Sequence, residues 1–404
     1  MSALEKSGKL ILLLAGLQAF GPLSIDMYLP GLPQIAEDLS AQHSQVQLSV
    51  SSFLIGLFIG MLFYGPLSDR FGRRKLLLSG IFLYLLASLG CYFSATATQL
   101  TCWRFIQALG GAAASVLGRT IVRDIYPVNE AARTLSLMHL VTMIATLMAP
   151  LIGGYIIVVA NWRWLFALLW IYSLILLLLT FLRIPETHPV ANRNPSILAV
   201  FTAYWDILQD RVSVGYILCM SLCFAGMFAF ITASSFVYID YFGLSPQQYA
   251  YLFSLNIVGI MVMVTLNARL LGKWGAQGLL YAGASLGAIS GVLLLFAGTL
   301  TPENLLLIFL GVLGHVSVTG LLGANCIASL LARQPDRAGA ATGLAISTQF
   351  GLGALASSLV SALYDGTPFY MTLLVGTAGI GSLCALVLTR RSHSPVENPV
   401  ENRF

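Results

Sequence analysis

One carboxylate, Asp26, stands within "GPLSIDMYLPGLP" (21–33), inside an apolar run that begins at Leu10 and is long enough to cross a bilayer. A charge at that depth costs about 2.5–3.5 kcal/mol even on the lenient insertion scale. An acid kept there carries a proton or pairs with a base. Arg104, in "LTCWRFIQALGGAAASVLGRT" (100–120), is the candidate base. Asp26 follows Lys9 by 17 residues, a rise of roughly 25 Å along a helix. Arg104 precedes Arg119 by 15 residues and Arg123 by 19, on a helix running the other way. Acid and base therefore fall at similar depth, which predicts pairing or a shared water-filled cavity. The competing readings are a structural ion pair for Asp26 and, since Trp103 suits an interface, a snorkelling anchor for Arg104. Pro22 and Pro30 remove backbone donors on either side of Asp26, so the helix is expected to break there and line a polar pocket.

Two further stretches have chemistry in their spacing. "GPLSDRFGRRK" (65–75) sets one acid, Asp69, among Arg70, Arg73, Arg74 and Lys75, with Gly65 and Gly72 permitting tight turning. Asp69 has two candidate partners, Arg119 and the start of a later span near Ala338, where a helix amino terminus favours an anion. The second contact would latch two parts of the chain on one side, and is expected to break as the outer side opens. A solvated turn is the alternative. "MAPLIGGYI" (148–156) carries Pro150, Gly153 and Gly154, which bend or thin a helix, against span 8 or in packing alone. Tyr28, Phe224, Met227 and Phe228 offer an adaptable apolar lining. Asn256, Asn325 and Gln349 line a cavity or bridge helices, and His139 and His315 read as hydrogen-bonded packing residues.

The elements that position these groups follow from composition. The chain has 404 residues, 57% hydrophobic and 9% charged; soluble domains carry about 25% charged residues. Twelve apolar spans centre near residues 20, 57, 85, 110, 146, 172, 224, 260, 288, 314, 350 and 378. Their continuity favours helices over a barrel. Of 21 Lys and Arg, 19 lie in the amino terminus, the tail or alternate connections, while Glu37, Asp38, Asp240, Glu303 and Asp365 occupy the opposite ones. Basic connections stay in the cytoplasm, so both termini are expected inside. The same rule accounts for most of the net charge of +5, and no nucleic-acid partner is implied. The six cysteines lack metal-site spacing and read as packing residues.

A shift of 203 residues lays "DRFGRRKLL" (69–77) over "GKWGAQGLL" (272–280) and the start of span 1 over that of span 7. Two six-helix bundles follow, 1–183 and 213–390, as parallel repeats. Between them, 184–212 opens with "IPETHPVANRNP" and continues with Ile197, Val200, Phe201, Tyr204, Trp205 and Leu208 at helical spacing, an amphipathic helix expected on the cytoplasmic face. The tail 391–404 reads as disordered. Glycines four apart, as in "GASLGAISG" (283–291), let helices approach closely.

These motifs carry a resemblance. "GPLSDRFGRRK" resembles the loop motif of the major facilitator superfamily, and "RFIQALGGAAAS", with Arg104, Gln107 and Gly110, resembles its span-4 motif. "APLIGG" is similar to the span-5 motif of its drug antiporters, although Ala149 stands where glycine is usual. "LSIDMYLPGLP", "RTIVRDIYP" and "FAGMFAFITASSFVYID" resemble the bicyclomycin-resistance group of drug–proton antiporters. The resemblance covers essentially the whole chain. It implies an all-α membrane protein of twelve transmembrane helices in two bundles, a monomer in the bacterial inner membrane. Asp26 would be the proton- and substrate-responsive acid, with Arg104 beside it and Gln107 in the cavity wall. Gly65, Asp69, Arg70, Gly72, Arg73 and Arg119 would form the gating loop. Bicyclomycin-, phenicol- and sulfonamide-type drugs would be the substrates, the proton gradient the energy source, and no cofactor or metal is implied. A proton-coupled importer would use the same fold and acid. A membrane-embedded enzyme is the reading from another class; "HExxH", clustered acids at metal spacing, a Ser–His arrangement at one depth and the nucleotide motif "GxxxxGK[ST]" are all absent from the sequence.

Overall fold

The computed structural model describes residues 8–187 and 197–390; Lys6, the polar stretch 188–196 and the tail 391–404 lie outside the described residues. Among these residues every regular element is helical. Span 1 is Gly8–Asp26, a 3₁₀ turn at Leu29–Gly31 and a short helix, Leu32–Asp38. Spans 2 to 6 are His43–Phe71, Arg73–Tyr92, Ala97–Ile125, Val128–Val159 and Arg163–Arg183. A separate helix, Ile197–Gln209, leads to span 7, Arg211–Ser235, which ends in a widened turn at Phe236–Tyr241. One stretch, Pro246–Leu300, turns at Gly275 and so supplies spans 8 and 9. Span 10 is Leu305–Ser317 continued by Thr319–Arg333, span 11 Ala338–Leu363 and span 12 Phe369–Arg390. The described residues thus make twelve crossings in two six-helix halves.

The halves share local detail where the repeat predicts it. Gly72 (φ 98°, ψ 148°) and Gly275 (φ 67°, ψ 166°), 203 residues apart, turn the chain in closely similar left-handed backbone conformations that disfavour side-chain-bearing residues. Gly65, expected to turn as well, instead lies inside the span 2 helix. Tight backbone approach explains others: a Cβ on Gly110 would stand 2.5 Å from Gly80 O, and one on Gly291 2.5 Å from Gly376 O. With lipid on the outside, such small-residue contacts carry helix association that apolar burial cannot.

The molecule has a basic end, where Arg73, Arg183, Arg333 and Arg337 lie, and an acidic end with Asp38, Asp240 and Asp365. At the acidic end the halves are closed. Ser51 Oγ of span 2 meets Ser357 Oγ of span 11 at 2.7 Å, Ser357 meets Thr232 Oγ1 of span 7 at 2.7 Å, and His43 Nε2 lies 3.5 Å from Asp240. At the basic end they part around a cavity of about 340 Å³ between spans 2 and 4 on one side and span 11 on the other. The Ile197–Gln209 helix stands at its edge, with Phe201 5.7 Å from Phe63 of span 2 and Tyr204 buried in the cavity wall. Trp205 and Leu208 face outward.

Asp210 ties this end of the second half together. It accepts from Arg333 Nη2 at 2.9 Å and from Arg333 Nε, and it caps span 7 through Ser213 N at 3.2 Å. The Arg333 hydrogen bonds hold its carboxyl well below the usual range. A depressed carboxyl contributes stability above its unfolded value, about pH 4, and loses it as pH falls toward the folded one. Arg333→Gln is therefore expected to lower the melting temperature by a constant margin from neutral pH down to about pH 4. The margin should shrink below that; a gap equally wide in strong acid would mean that the pair is not its source.

A broken span and a buried acid at the seam between the halves

Span 1 ends its first helix at Asp26, and the Tyr28 amide turns to Ile25 O at 3.2 Å. Pro22 sits inside the helix without ending it; Pro30 lies in the 3₁₀ turn beyond the break. A helix end inside a membrane leaves carbonyls that need donors. Arg104 supplies one: its Nη2 donates to Ser24 O at 3.0 Å and its Nη1 to Gln107 Oε1 at 2.7 Å. The guanidinium is wholly buried, 4.5 Å from the Tyr28 ring centre and 4.2 Å from that of Phe53. The partial negative charge of a helix carboxyl end and two ring faces favour a cation there. Gln107 donates on to Ser88 Oγ at 2.8 Å; Ser24 Oγ donates to Phe20 O at 2.6 Å and so accepts from Tyr84 OH.

The expected Asp26–Arg104 pair does not form. Among the described residues the Asp26 carboxylate has neither a hydrogen bond nor an ion pair, although only 6% of the residue is exposed. The two charges share a depth but face opposite ways: Arg104 into the first bundle, Asp26 toward the second. Nor is Arg104 a snorkelling anchor, since it has no exposed surface. Asp26 lies within electrostatic reach of Tyr249, whose hydroxyl is 2.9 Å from Ser234 Oγ.

Span 5 explains how the break and span 8 come together. A Cβ on Gly153 would lie 2.1 Å from Met27 O, and one on Gly154 would lie 3.1 Å from Pro246 O and from Ala250 Cβ. The glycine pair admits the broken backbone beside Asp26 on one face and the start of span 8 on the other. Pro150 lies inside the same helix, and Ser254 Oγ of span 8 donates to Leu147 O at 3.4 Å.

Other candidates scatter. Tyr28 (OH to Ser49 Oγ, 2.8 Å) and Gln107 are buried in the first bundle and do not line the cavity between the halves. Phe228 is buried, 5.6 Å from Phe350 and 6.4 Å from Phe224, while Phe224 and Met227 are half-buried. Asn256 Nδ2 donates to Leu252 O at 3.0 Å and its Oδ1 is unpaired. Asn325 bonds Asn267 at 2.6 Å, and His315 Nε2 meets Cys223 O at 3.0 Å. The loop motif is not latched: Asp69 pairs with Arg73 Nη1 at 2.5 Å, Arg73 also reaches Asp124 at 3.2 Å, and Arg70 lies 5.3 Å from the Phe71 ring centre. Asp69 and Arg119 both line the open cavity, with Gly339 and Ala340 of span 11 on its other side. The latch to span 11 that the sequence suggests is therefore absent while the basic end is open, because Asp69 is held by Arg73 on its own turn. The Ser51–Ser357–Thr232 chain and Tyr249 were not anticipated; hydroxyls in apolar spans carry no sequence signal beyond their presence.

A twelve-crossing fold in two repeated halves, with a buried acid at their seam, defines a membrane transporter of the major facilitator type. Residues 14–358 match the Major Facilitator Superfamily, and the chain belongs to that family. It is 35% identical to the "Bicyclomycin resistance protein homolog" of Haemophilus influenzae, over 93% of this chain and 94% of that one. It is 36% identical to the "Uncharacterized MFS-type transporter YdgK" of Bacillus subtilis (94% and 95% covered). Identity to "Multidrug resistance protein MdtL" of Salmonella heidelberg is 30%, over 69% and 71%. Among solved structures, the nucleoside transporter NupG superposes with a TM-score of 0.72 at 14% identity, covering 94% of this chain and 98% of that one. The D-xylose-proton symporter gives 0.69 at 21% identity, with 94% and 96% covered. At those identities the structural likeness speaks for the fold.

Two outcomes follow. Arg104→Gln strands the Ser24 carbonyl in a dry site and should cost about 2–4 kcal/mol of stability, read as a lowered melting temperature of the purified protein. Gly153→Val drives a side chain into Met27 O and should abolish activity or folding, whereas Gly65→Ala, facing open space, should leave the melting temperature within error.

Proposed function

We propose that this transporter exports drug-like small molecules in exchange for protons, across a bacterial cytoplasmic membrane with both termini inside. The observation that carries this reading is Asp26: among the described residues it is the one acid in the buried class, it lies beside the seam where the halves must part, and no base neutralises it. An unpaired charge there is costly, and a proton removes that cost. The drug-resistance names of two relatives support the substrate class, and the glycine pair of span 5 suits the antiporter motif it resembles.

With basic connections inside, the open cavity faces the cytoplasm. Ionised Asp26 then accompanies substrate entry from the cytoplasm or inner leaflet. Closure of the basic end brings Asp69 to the start of span 11, and the Ser51–Ser357 seam parts. A proton from outside neutralises Asp26 and favours release; the neutral acid is cheaper to bury, so the return is allowed and the proton leaves inside. The cycle needs only that substrate and proton prefer opposite states. The proton gradient alone supplies the energy, and no cofactor takes part.

Inverted vesicles bearing wild type or Asp26→Asn at equal expression, acidified inside, test the exchange. Bicyclomycin, a phenicol or a sulfonamide should trigger proton release from the lumen in wild type and not in the variant. Equal exchange by the variant would make Asp26 structural. Drug uptake without proton movement, following the gradient downhill, would favour the importer.

A further inference from the structure

The closed seam at the acidic end holds polar groups with nothing to bond. His43, Gln47 and Ser51 follow one another at intervals of four on span 2, so they share one face of that helix. His43 stacks on Phe236 of span 7, ring centres 4.4 Å apart, and Ser51 reaches Thr232 of span 7 through Ser357. Spans 2 and 7 run in opposite directions. Gln47, between these two contacts, therefore lies level with the turn of span 7 that carries Thr232 and Ser235. Gln47 and Ser235 have no exposed surface. Among the described residues neither end of the Gln47 amide nor Ser235 Oγ has a hydrogen-bond partner. Ser234, the neighbouring residue, turns instead to Tyr249 of span 8. A buried amide with both ends unpaired destabilises the closed seam, which an apolar residue of the same size would seal better.

We infer that Gln47 and Ser235 are facing walls of an outer binding seat, which forms when the acidic end opens and takes a neutral small molecule bearing amide and hydroxyl groups. Gln47 offers both donors and an acceptor, and the hydroxyls of Ser51, Thr232, Ser235 and Ser357 can each do both. The charged pair of this end, His43 and Asp240, sits at the exposed rim, so the seat selects by hydrogen bonding rather than by charge. A ligand that pairs with the amide is preferred over an apolar one that leaves it unpaired. Because the seat exists only with the acidic end open, its ligand shifts the population toward that state. This deepens the exporter reading and rests on it for direction: the seat is the last station before release.

The test uses the full-length protein in nanodiscs, with no pH gradient. Cys102 and Cys384, the two exposed cysteines, are replaced by alanine, and Ser361→Cys serves as the reporter. Position 361 is 1% exposed and lies one turn outward from Ser357 on span 11, so a maleimide reaches it only as the acidic end parts. Millimolar chloramphenicol, a neutral phenicol bearing amide and hydroxyl groups, should speed labelling by about threefold or more. Gln47→Leu and Ser235→Ala should each remove most of that acceleration, and Gln47→Asn should keep part of it. Without drug, Gln47→Leu should also raise the melting temperature by about 1–2 °C, which loss of a residue needed for packing would not do. Three results would each overturn the seat: no acceleration by chloramphenicol, equal acceleration in wild type and Gln47→Leu, or a melting temperature lowered by Gln47→Leu. Labelling requires no transport, so a failed proton-exchange assay would remove the exporter reading and leave this result standing.

Discussion

The hydrogen bond from Arg104 to the Ser24 carbonyl is the constraint on which the first half depends. A span interrupted in mid-membrane leaves acceptors that lipid cannot satisfy. A cation with a planar body, sandwiched near Tyr28 and Phe53, satisfies one of them, the Ser24 carbonyl, without exposing itself. Gln107, Ser88 and Tyr84 complete the network around it. Because the break is stabilised from within the bundle, the next residues are free to face outward. Asp26 is turned toward the second half by this arrangement, and the positive charge that would neutralise it is spent elsewhere.

The seam is then a matter of closeness. Gly153 lets the Met27 carbonyl lie against span 5, and Gly154 lets the start of span 8 lie against its other face. The three elements converge where no side chain bulkier than hydrogen fits. The opposite end carries charge rather than closeness. There Asp69, Arg73 and Asp124 form a cluster that stays within the first half while the cavity is open. Small residues, hydroxyls and the His43–Asp240 contact thus hold the acidic end of the contact between the halves, whereas at the open basic end the ionic groups pair within the first half.

Much of this was legible in the chain. Apolar run lengths and alternating basic and acidic connections yield twelve crossings; two prolines around a lone acid mark the broken span; glycines beside Pro150 mark close approach; apolar spacing from Ile197 marks the connecting helix. The errors share a cause. Depth along a helix follows from counting residues, but the direction a side chain takes at a break does not, so Asp26 and Arg104 were paired by height although they face apart. The acceptor that Arg104 uses is a backbone carbonyl, and side-chain identity does not record which carbonyls a break sets free. Tyr28 and Gln107 were assigned to the cavity for the same reason. The latch is absent because Asp69 has Arg73 four residues on as a partner, and residue types alone do not rank that local pairing above Arg119 or a distant helix start.

The closed seam has a kinetic implication. Thr232 Oγ1 donates to Phe228 O within its own helix at 2.8 Å as well as meeting Ser357. When the halves separate, that hydroxyl keeps a partner, and Ser51 and Ser357 need only the carbonyls of their own helices or entering water. Parting this contact leaves no polar atom stranded in a dry place at the top of the barrier. At this contact the barrier comes from the unzipping of packed side chains, and the turnover rate should vary with bilayer tension and temperature.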